Sequence, residues 1–435
     1  MGKDEEKRKE FEDPRDNFEQ PEDYLYSLER IGVKLGLDKI EAFLSRFDNP
    51  HKDFQAIVVG GTNGKGSVCR TLVNILKEGG YSTGLYLSPH LVDFEERIQI
   101  DGKNIDKEEL WSLIGKVHPV VKDIEEKDPE KRPSFFEVLT TLAFLSFSKH
   151  DVDFAVLEVG MGGRLDATNV APHDFSVVTY VGYDHAEHLG DSKMKRAYEK
   201  GGIITEGNHF VTGEKEKEIR GYFEKVCEER NADFNYAFDR DHQISYDPLK
   251  IRTEPYGEIE IQGLTSWQAE NALISLKVAE GLKERGYDLS EKNIVEGIEN
   301  TRLPGKMEFI KKRPRVMIDS AHNKTGFEAL KLGLENVDFN RLLLIVGMLE
   351  DKDHGSMGNI LGPLADLVYT AEPVSKRKLD SEVLCREFES YCPTETYAHG
   401  IEALKKAEEE WTEGDLIVIT GSMYLIGDIL KKLRG

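Results

Sequence analysis

A glycine-rich segment that follows an apolar run has the residue types of a phosphate-binding loop. Residues 57–59 are apolar and β-branched, residues 60–67 are rich in glycine, and a helical pattern of apolar residues comes next. Glycines let backbone N–H groups turn toward an anion, and a helix N-terminus adds positive potential. Lys65 would neutralise phosphate charge, and the hydroxyl of Ser67 or Thr62 would reach a magnesium ion.

The loop departs from the common G-x-x-x-x-G-K-[ST] pattern. Val59 stands where the first glycine of that pattern would be, and Gly66 separates the lysine from the serine. An ordinary strand–helix turn is the alternative, but glycines, a lysine and hydroxyl groups coincide in the order that a phosphate loop needs. We predict nucleotide contacts for the whole segment: Gly61, Thr62, Asn63, Gly64, Lys65, Gly66 and Ser67.

This loop resembles the Gly-Thr-Asn-Gly-Lys-Gly-Ser loop of the folylpolyglutamate synthase and dihydrofolate synthase family, a branch of the Mur ligases. The resemblance runs from about Tyr24 to the C-terminus. The block from Leu157 to Asn169 is its most specific part. The other matching motifs are Leu87-Ser88-Pro89-His90-Leu91, Glu96-Arg97-Ile98, Ser134-Phe135-Phe136-Glu137, Asp184-His185, Glu199-Lys200, Asp319-Ser320-Ala321-His322-Asn323 and Gly421-Ser422.

Composition limits the class of protein. The 435 residues are too many for one ordinary core, so two domains are expected. No apolar run reaches the ~18 residues that span a bilayer. The first 20 residues are almost all polar or charged and lack the apolar core of a secretory signal. The four cysteines are scattered, which favours a reducing cytoplasm, and we predict a cytoplasmic protein without a membrane partner.

The chain is strongly acidic, with a formal net charge of −23. A nucleic-acid-binding surface would be basic, so we predict no nucleic-acid partner. Anionic substrates must then be attracted by local positive sites within a negative envelope.

The order of apolar runs and helical patterns predicts an α/β fold. Residues 154–159 and 175–181 are continuous apolar runs of strand length, typical of the inner strands of a parallel sheet. We predict a P-loop-type, mostly parallel sheet flanked by helices, followed by a smaller Rossmann-like α/β domain. The predicted division is a disordered charged leader at 1–20, an ATP-binding central domain at 21–302 and a C-terminal glutamate-ligase domain at 303–435.

The candidate metal ligands follow predicted strands or lie in the loop. Glu158 ends a predicted buried strand, at the sheet edge where ligands bind in α/β proteins, although such a glutamate alone is more often a cap or a surface group. The resemblance implies that Glu158 is a magnesium ligand, that His185 ligates magnesium at a second site and that Ser88 contributes from a loop. We add Ser67 to this set. Oxygen ligands with one imidazole suit magnesium if waters complete the coordination.

Lys200 corresponds to a lysine that is carbamylated in the family. The modification turns a cation into an oxygen ligand beside the metal. From the sequence alone, a surface lysine in a charged helix is the simpler interpretation. The predicted catalytic residues are Lys65, Glu158, His185 and Lys200.

Five further residues are predicted to bind the nucleotide because they match the family pattern. Gln268 and Asn271 share one helix face and correspond to residues near adenine. Lys306 replaces the usual arginine and so loses a planar bidentate donor. Asp319 and His322 correspond to residues that face the nucleotide from the second domain, and Asn323 is also a candidate N-cap of the next helix. Trp267 stands where the family usually has histidine.

The resemblance implies an ATP-dependent ligase of folate biosynthesis that joins L-glutamate to a pterin-linked carboxylate through an acyl phosphate. The acceptor is dihydropteroate, a folate or both. The implied cofactors are ATP and two magnesium ions, with a monovalent cation and a carbamylated Lys200 as further candidates, and the expected state is a monomer.

The alternatives are a ligase for a methanopterin-type pterin, a Mur-type cell-wall ligase and a degenerate nucleotide-binding module. A Mur-type ligase would carry a further N-terminal domain, for which there is little room ahead of Gly60.

Overall fold

The computed structural model describes residues 13–30, 36–183 and 189–434. Two large sheets dominate these residues, one of eight strands and one of six, with a separate three-stranded sheet between them in the chain. The predicted α/β class, a mostly parallel sheet followed by a second α/β unit, is confirmed. Within the described ranges, no helix is long and apolar enough to cross a membrane.

The eight-stranded sheet holds the glycine-rich loop at its centre. Its strand order is β4-β3-β2-β5-β1-β6-β7-β8, and the inner strands β2, β5, β1, β6 and β7 are parallel. The strands are β1 Gln55–Gly60, β2 Thr83–Tyr86, β3 Ile98–Ile100, β4 Lys103–Asn104, β5 Phe154–Glu158, β6 His173–Val178, β7 His209–Thr212 and β8 Asp233–Tyr236.

Helices cover both faces of this sheet. They are α1 Pro21–Ser27, α2 Asp38–Leu44, α3 Lys65–Glu78, α4 Lys107–Lys127, α5 Phe135–Lys149, α6 Lys193–Gly201, α7 Lys217–Glu229, α8 Ser266–Glu284 and α9 Glu291–Glu299. Side chains alternate along a strand, so Val58 joins the core on one face while Ile57 and Val59 join the core on the other. Burial on both faces explains why this strand reads as an uninterrupted apolar run.

The three-stranded sheet is antiparallel and was not predicted from the sequence. It consists of β9 Gln243–Ser245, β10 Lys250–Thr253 and β11 Gly257–Glu260. Its strands are short and their exposed positions carry polar or charged residues, so they lack the apolar run by which the inner strands are recognised.

The second domain is a six-stranded sheet in the order β12-β13-β17-β14-β15-β16, parallel except for the β12 edge. Its strands are β12 Glu308–Lys312, β13 Arg315–Ile318, β14 Leu342–Val346, β15 Leu367–Ala371, β16 Thr394–Tyr397 and β17 Leu416–Thr420. Its helices are α10 Lys324–Leu334, α11 His354–Leu361, α12 Ser381–Arg386, α13 Gly400–Glu410 and α14 Met423–Arg434. The boundary predicted near Arg302 falls between α9 and β12.

Part of the predicted disordered leader is folded. Pro14–Asp16 forms a short 3-10 helix that Asp13 caps, and Pro14 is buried. The ring of Phe18 packs edge-on against Tyr24 at 5.6 Å. The prediction of disorder is therefore wrong for residues 13–20, because an aromatic contact with the core holds them. Residues 1–12 lie outside the described ranges.

Candidate functional site

Two glycines shape the loop between β1 and α3. Gly61 has a φ of 135° and Gly64 a φ of 83°, both in the region that favours glycine. A Cβ built on Gly61 would lie 1.9 Å from Thr179 Oγ1, and one built on Gly64 would lie 2.4 Å from Asn271 Oδ1. Both positions therefore require glycine for conformation and for space.

Side chains from neighbouring elements hold the carbonyl groups of this loop. Lys200 Nζ donates to the Gly61 carbonyl at 2.9 Å, and Thr179 Oγ1 donates to the Asn63 carbonyl at 2.7 Å. Helix α3 makes its first intrahelical bond from Val68 N–H. The N–H groups of residues 65–67 precede that bond and so have no partner within the helix, which is the arrangement that binds phosphate.

The loop lysine lies beside its own turn. Lys65 Nζ donates to the Thr62 carbonyl at 3.2 Å, which keeps the ammonium at the mouth of the loop. The Thr62 hydroxyl accepts a hydrogen bond from Gly182 N–H at 2.8 Å. Of the two hydroxyls proposed for magnesium, that of Thr62 therefore has a structural partner, while Ser67 is buried in the first turn of α3.

Glu158 ends β5 directly beside the loop. Its side chain is 7% exposed, and its Oε2 accepts a hydrogen bond from Ser88 N–H at 3.1 Å. A Cβ on Gly66 would lie 3.5 Å from the same oxygen, so the carboxylate lies against the first turn of α3. Burial raises the pKa of Glu158, and the positive charges of Lys65 and Arg70 oppose that rise.

The predicted metal ligands are only partly brought together. Glu158 and Ser88 are in direct contact, and Ser67 belongs to the helix turn against which Glu158 packs. His185 lies outside the described residues. Neither here nor in the rest of the described ranges does a group of three or more histidine, cysteine, aspartate or glutamate side chains form a metal site. One carboxylate with hydroxyl oxygens suits magnesium, which keeps several waters and takes phosphate oxygens as ligands.

Lys200 is placed at the loop by the end of α6. It is 3% exposed, and its contact with the Gly61 carbonyl joins α6 to the phosphate loop. The interpretation of Lys200 as a surface lysine is wrong, because the helix turns this side chain inward. Its carbamylation stays a prediction.

Gln268 and Asn271 both lie on α8, but their side chains make different contacts. The Oε1 atom of Gln268 accepts hydrogen bonds from Leu264 N–H and from the N–H and hydroxyl of Thr265, so it caps the helix. Asn271 lies against Gly64 of the loop. Trp267 packs on the ring of Tyr180 at 5.4 Å, which places an aromatic surface beside the loop.

The charge of Lys306 acts on a buried carboxylate in each of the two domains. Lys306 is exposed, and its charge opposes the rise in pKa that burial causes at both Glu158 and Asp319. Asp319 follows β13 and accepts hydrogen bonds from Ala321 N–H at 2.9 Å and Met307 N–H at 3.0 Å. Lys306 therefore lies at the junction of the two domains, and its contact with the nucleotide stays a prediction.

The second domain also contacts the phosphate loop directly. Asn323 caps α10 through a hydrogen bond from Gly326 N–H at 2.9 Å, as predicted, and its side chain also pairs with Asn63 of the loop. The neighbouring His322 lines the cleft between the domains, with its Nδ1 atom 2.9 Å from the Ser320 carbonyl.

A cleft of about 1890 Å³ opens between the two domains, and Ser88 and His322 are among its lining residues. One part is aromatic: Tyr26 stacks on Phe135 at 5.5 Å, and Phe94 meets Phe135 edge-on at 6.5 Å. The Arg97 guanidinium lies over both phenylalanine rings. This wall fits a flat, partly aromatic ligand.

Another part of the cleft is basic. Lys376, Arg377 and Lys378 lie together on its rim, and Lys352 belongs to the same side. Arg377 pairs with Asp351 at 3.3 Å. Lys378 pairs with Glu372, so four cations and two carboxylates leave this part of the cleft with a net positive charge, which favours an anionic ligand.

The sequence motifs assign no role to these two parts of the cleft. The aromatic wall had a signal, because Ser134-Phe135-Phe136-Glu137 and Glu96-Arg97-Ile98 were recognised as motifs without a function. The basic rim had none, since a short charged segment is typical of any solvated loop.

Comparison with known proteins identifies relatives along nearly the whole chain. Residues 305–423 match the family described as Mur ligase, glutamate ligase domain. The chain is 30% identical to the dihydrofolate synthase/folylpolyglutamate synthase of Bacillus subtilis, over 96% of this chain and 99% of that protein.

Solved structures agree with this relationship. Escherichia coli FolC in complex with DHPP and ADP superimposes with a TM-score of 0.84 at 27% identity, covering 95% of this chain and 98% of that one. A bifunctional folylpolyglutamate synthase/dihydrofolate synthase with Mn, AMPPNP and L-glutamate bound has a TM-score of 0.81 at 26% identity, covering 96% and 98%.

Proposed function

Because the chain belongs to the dihydrofolate synthase/folylpolyglutamate synthase family, we propose that it is an ATP-dependent ligase that joins L-glutamate to a pterin-linked carboxylate. The Bacillus subtilis relative and the bifunctional enzyme of known structure carry both activities in their names. The FolC structure holds DHPP and ADP, and the bifunctional enzyme holds Mn, AMPPNP and L-glutamate. The reaction belongs to folate biosynthesis.

One observation carries the proposal: the phosphate loop and the large cleft meet at two residues. Ser88 lines the cleft and donates to Glu158, and the carboxylate of Glu158 lies against Gly66 in the loop. A phosphate held by the loop and a carboxylate held in the cleft are therefore brought to the same place, which a phosphoryl transfer between them requires.

The chemistry follows from the weakness of a carboxylate as an electrophile. A carboxylate oxygen of the acceptor bonds to the γ-phosphorus of ATP, and the bond to ADP breaks. The neutral α-amine of L-glutamate then bonds to the carbonyl carbon of this acyl phosphate and loses one proton to solvent, and inorganic phosphate leaves with the bonding electrons. The products are an amide, ADP and phosphate.

The residues at the junction offset the repulsion between the two anionic reactants. Lys65 at the loop and Lys306 at the domain boundary both supply positive charge that acts on Glu158. Glu158, Ser88 and Ser67 would hold a magnesium ion, which when bound neutralises charge on the transferring phosphoryl group. Closure of the cleft excludes water, which would hydrolyse the acyl phosphate.

The size of the cleft favours acceptance of both dihydropteroate and folates. Pockets for single small ligands occupy about 300–1,000 Å³, whereas this cleft measures about 1890 Å³. A pterin ring on the aromatic wall leaves room beyond it for glutamate and for an acceptor that already bears glutamate.

Two finer features of the site are also proposed. Lys200 is carbamylated in the active enzyme, because its buried Nζ atom lies at the phosphate loop, where an anionic oxygen would serve as a ligand. A monovalent cation, implied by the family resemblance, is the further candidate cofactor.

We also propose a monomeric, cytoplasmic protein without nucleic-acid partners. The four cysteines are free thiols, as expected in a reducing compartment. The excess of acidic residues disfavours contact with nucleic acid.

The decisive experiment measures ATP-dependent incorporation of labelled glutamate into four acceptors: dihydropteroate, tetrahydrofolate, a methanopterin-type pterin and a uridine-nucleotide peptide. We expect incorporation into the first two and none with Lys65→Ala at unchanged thermal stability. Incorporation only into the third or fourth acceptor would replace the proposed substrate. No incorporation into any acceptor would support a nucleotide-binding module without catalysis.

A further inference from the structure

The loop formed by residues 88–93 belongs to the first domain in sequence but packs on the second. Leu91 lies against the apolar cluster of the second domain, which includes Ile426 and Ile429 of α14. A Cβ on Gly305, which lies between α9 and β12, would be 3.1 Å from the Leu91 side chain. Leu91 therefore also packs against the segment that joins the two domains. Leu91 is therefore an anchor of the loop in the opposite domain.

Gly427 makes this contact possible at the level of the backbone. A Cβ built on Gly427 would lie 2.1 Å from the carbonyl oxygen of Leu91, far inside any allowed contact. About two helical turns further along α14, Arg434 pairs with Asp93 at 2.7 Å. The helix and the loop thus touch along their length, with the glycine at the closest point.

The other end of the loop is tied to the metal-ligand candidate Glu158. Just beyond the loop, the Glu96 carboxylate accepts hydrogen bonds from three of its amides: Leu91 N–H at 2.8 Å, Val92 N–H at 3.0 Å and Asp93 N–H at 2.9 Å. These bonds make the segment rigid. Where it docks on α14 therefore determines the position of Ser88, whose N–H donates to Glu158.

We propose that Gly427 and Leu91 are positioning residues that let the second domain set the place of Ser88 beside Glu158. Neither residue contacts the candidate phosphate loop, and both act through residues 88–93. The inference rests on the proposed function, since the consequence of misplacing Ser88 is expected in glutamate ligation.

The test compares Gly427→Ala with Gly221→Ala. Both substitutions add one methyl group to a helix, but a Cβ on Gly221 in α7 meets nothing within 4 Å. Amide hydrogen exchange at Leu91, Val92 and Asp93 is measured without nucleotide or metal, which reports the docking itself. The rate of glutamate ligation is then titrated with magnesium.

We expect Gly427→Ala to speed exchange at the three amides, to raise the magnesium concentration for half-maximal rate and to lower kcat by roughly 10–100-fold. Gly221→Ala should match the parent in all three measurements. Leu91→Ala, which removes the anchor without adding bulk, should shift the same readouts in the same direction and replaces Gly427→Ala if that variant does not fold.

Exchange and kinetics like those of the parent in Gly427→Ala or in Leu91→Ala would overturn the inference. Faster exchange with unchanged kcat and magnesium dependence would overturn it as well. Docking of the loop on α14 would then have no effect on the position of Ser88 that matters for ligation. A parent that does not ligate glutamate rejects the proposed function, and the exchange comparison by itself then supports or overturns the docking.

Discussion

The side-chain amides of Asn63 and Asn323 hydrogen-bond to each other in both directions across the domain boundary. Asn63 Nδ2 donates to Asn323 Oδ1 at 3.2 Å, and Asn323 Nδ2 donates to Asn63 Oδ1 at 3.0 Å. Asn63 belongs to the phosphate loop, and Asn323 is the N-cap of α10. The positive end of that helix is therefore held next to the loop, where it favours bound phosphate.

This pairing predicts a change in nucleotide affinity for Asn323→Asp. Aspartate and serine both cap a helix, and both lose the hydrogen bond from Asn323 Nδ2 to Asn63, so Asn323→Asp and Asn323→Ser should have similar melting temperatures. The new negative charge at the phosphate loop should raise the KM for ATP by roughly tenfold, which is about 1.4 kcal/mol. Asn323→Ser keeps a cap without the charge and is the control. Equal KM values for the two variants would show that a charge at this position has no effect on ATP binding.

Glu158→Gln should raise the magnesium requirement while leaving the fold intact. Glutamine keeps the acceptor oxygen for Ser88 N–H but lacks the negative charge of a hard-cation ligand. Burial raises the pKa of Glu158, so removal of the charge should leave thermal stability equal or higher. Magnesium titration of the ligation rate and thermal denaturation check both expectations. An unchanged titration would remove Glu158 from the metal site.

Carbamylation of Lys200 predicts a carbonyl resonance that appears with labelled bicarbonate. Carbon-13 NMR of the folded enzyme should detect the adduct, which mass spectrometry can lose. Lys200→Arg, which cannot form the carbamate, should lack the resonance and lose most activity. A parent spectrum identical to that of the variant would contradict the modification.

Lys306→Arg should tighten ATP binding, because a guanidinium forms two parallel hydrogen bonds where an ammonium supplies a point charge. One added charge-assisted bond is worth roughly 1.5–3 kcal/mol at most. Lys306→Met keeps the stem and removes the charge, so it should weaken ATP binding and leave glutamate affinity mostly unchanged. Nucleotide titration by calorimetry measures both effects. Parent-like affinity in both variants would assign the phosphate contact to another residue.

His209 predicts a loss of stability in mild acid. It is 3% exposed, and burial together with the nearby Arg285 charge lowers its pKa to about 4. The unfolded chain, with a histidine pKa of about 6.5, binds the proton first, so stability is fully present above pH 6.5 and falls toward pH 4. Between pH 7 and 5 this residue should account for roughly 1–2 kcal/mol of the loss in unfolding free energy.

Chemical denaturation at the two pH values, compared with His209→Gln, measures this contribution. The variant lacks the titrating group, so its unfolding free energy should depend less steeply on pH. If the unfolding free energy depends equally steeply on pH in both proteins, the fold does not keep His209 neutral.

Much of the phosphate site was determined by local sequence. The loop, its flanking strand and helix, and the cap of α10 by Asn323 depend on neighbours within a few residues, and such short-range rules are readable along a chain. The apolar runs of β5 and β6 were readable for a related reason, since inner strands of a parallel sheet are buried on both faces.

Tertiary structure alone decided which distant residues share the site. Nothing in the helical pattern around Lys200 indicated that its side chain is buried at the Gly61 carbonyl, because that contact joins positions 139 residues apart. The pairing of Asn63 with Asn323, 260 residues away, and the fit of Leu91 to Gly427 likewise exist only once the two domains are packed together. Such contacts depend on shape and on relative domain position, which sequence spacing does not encode.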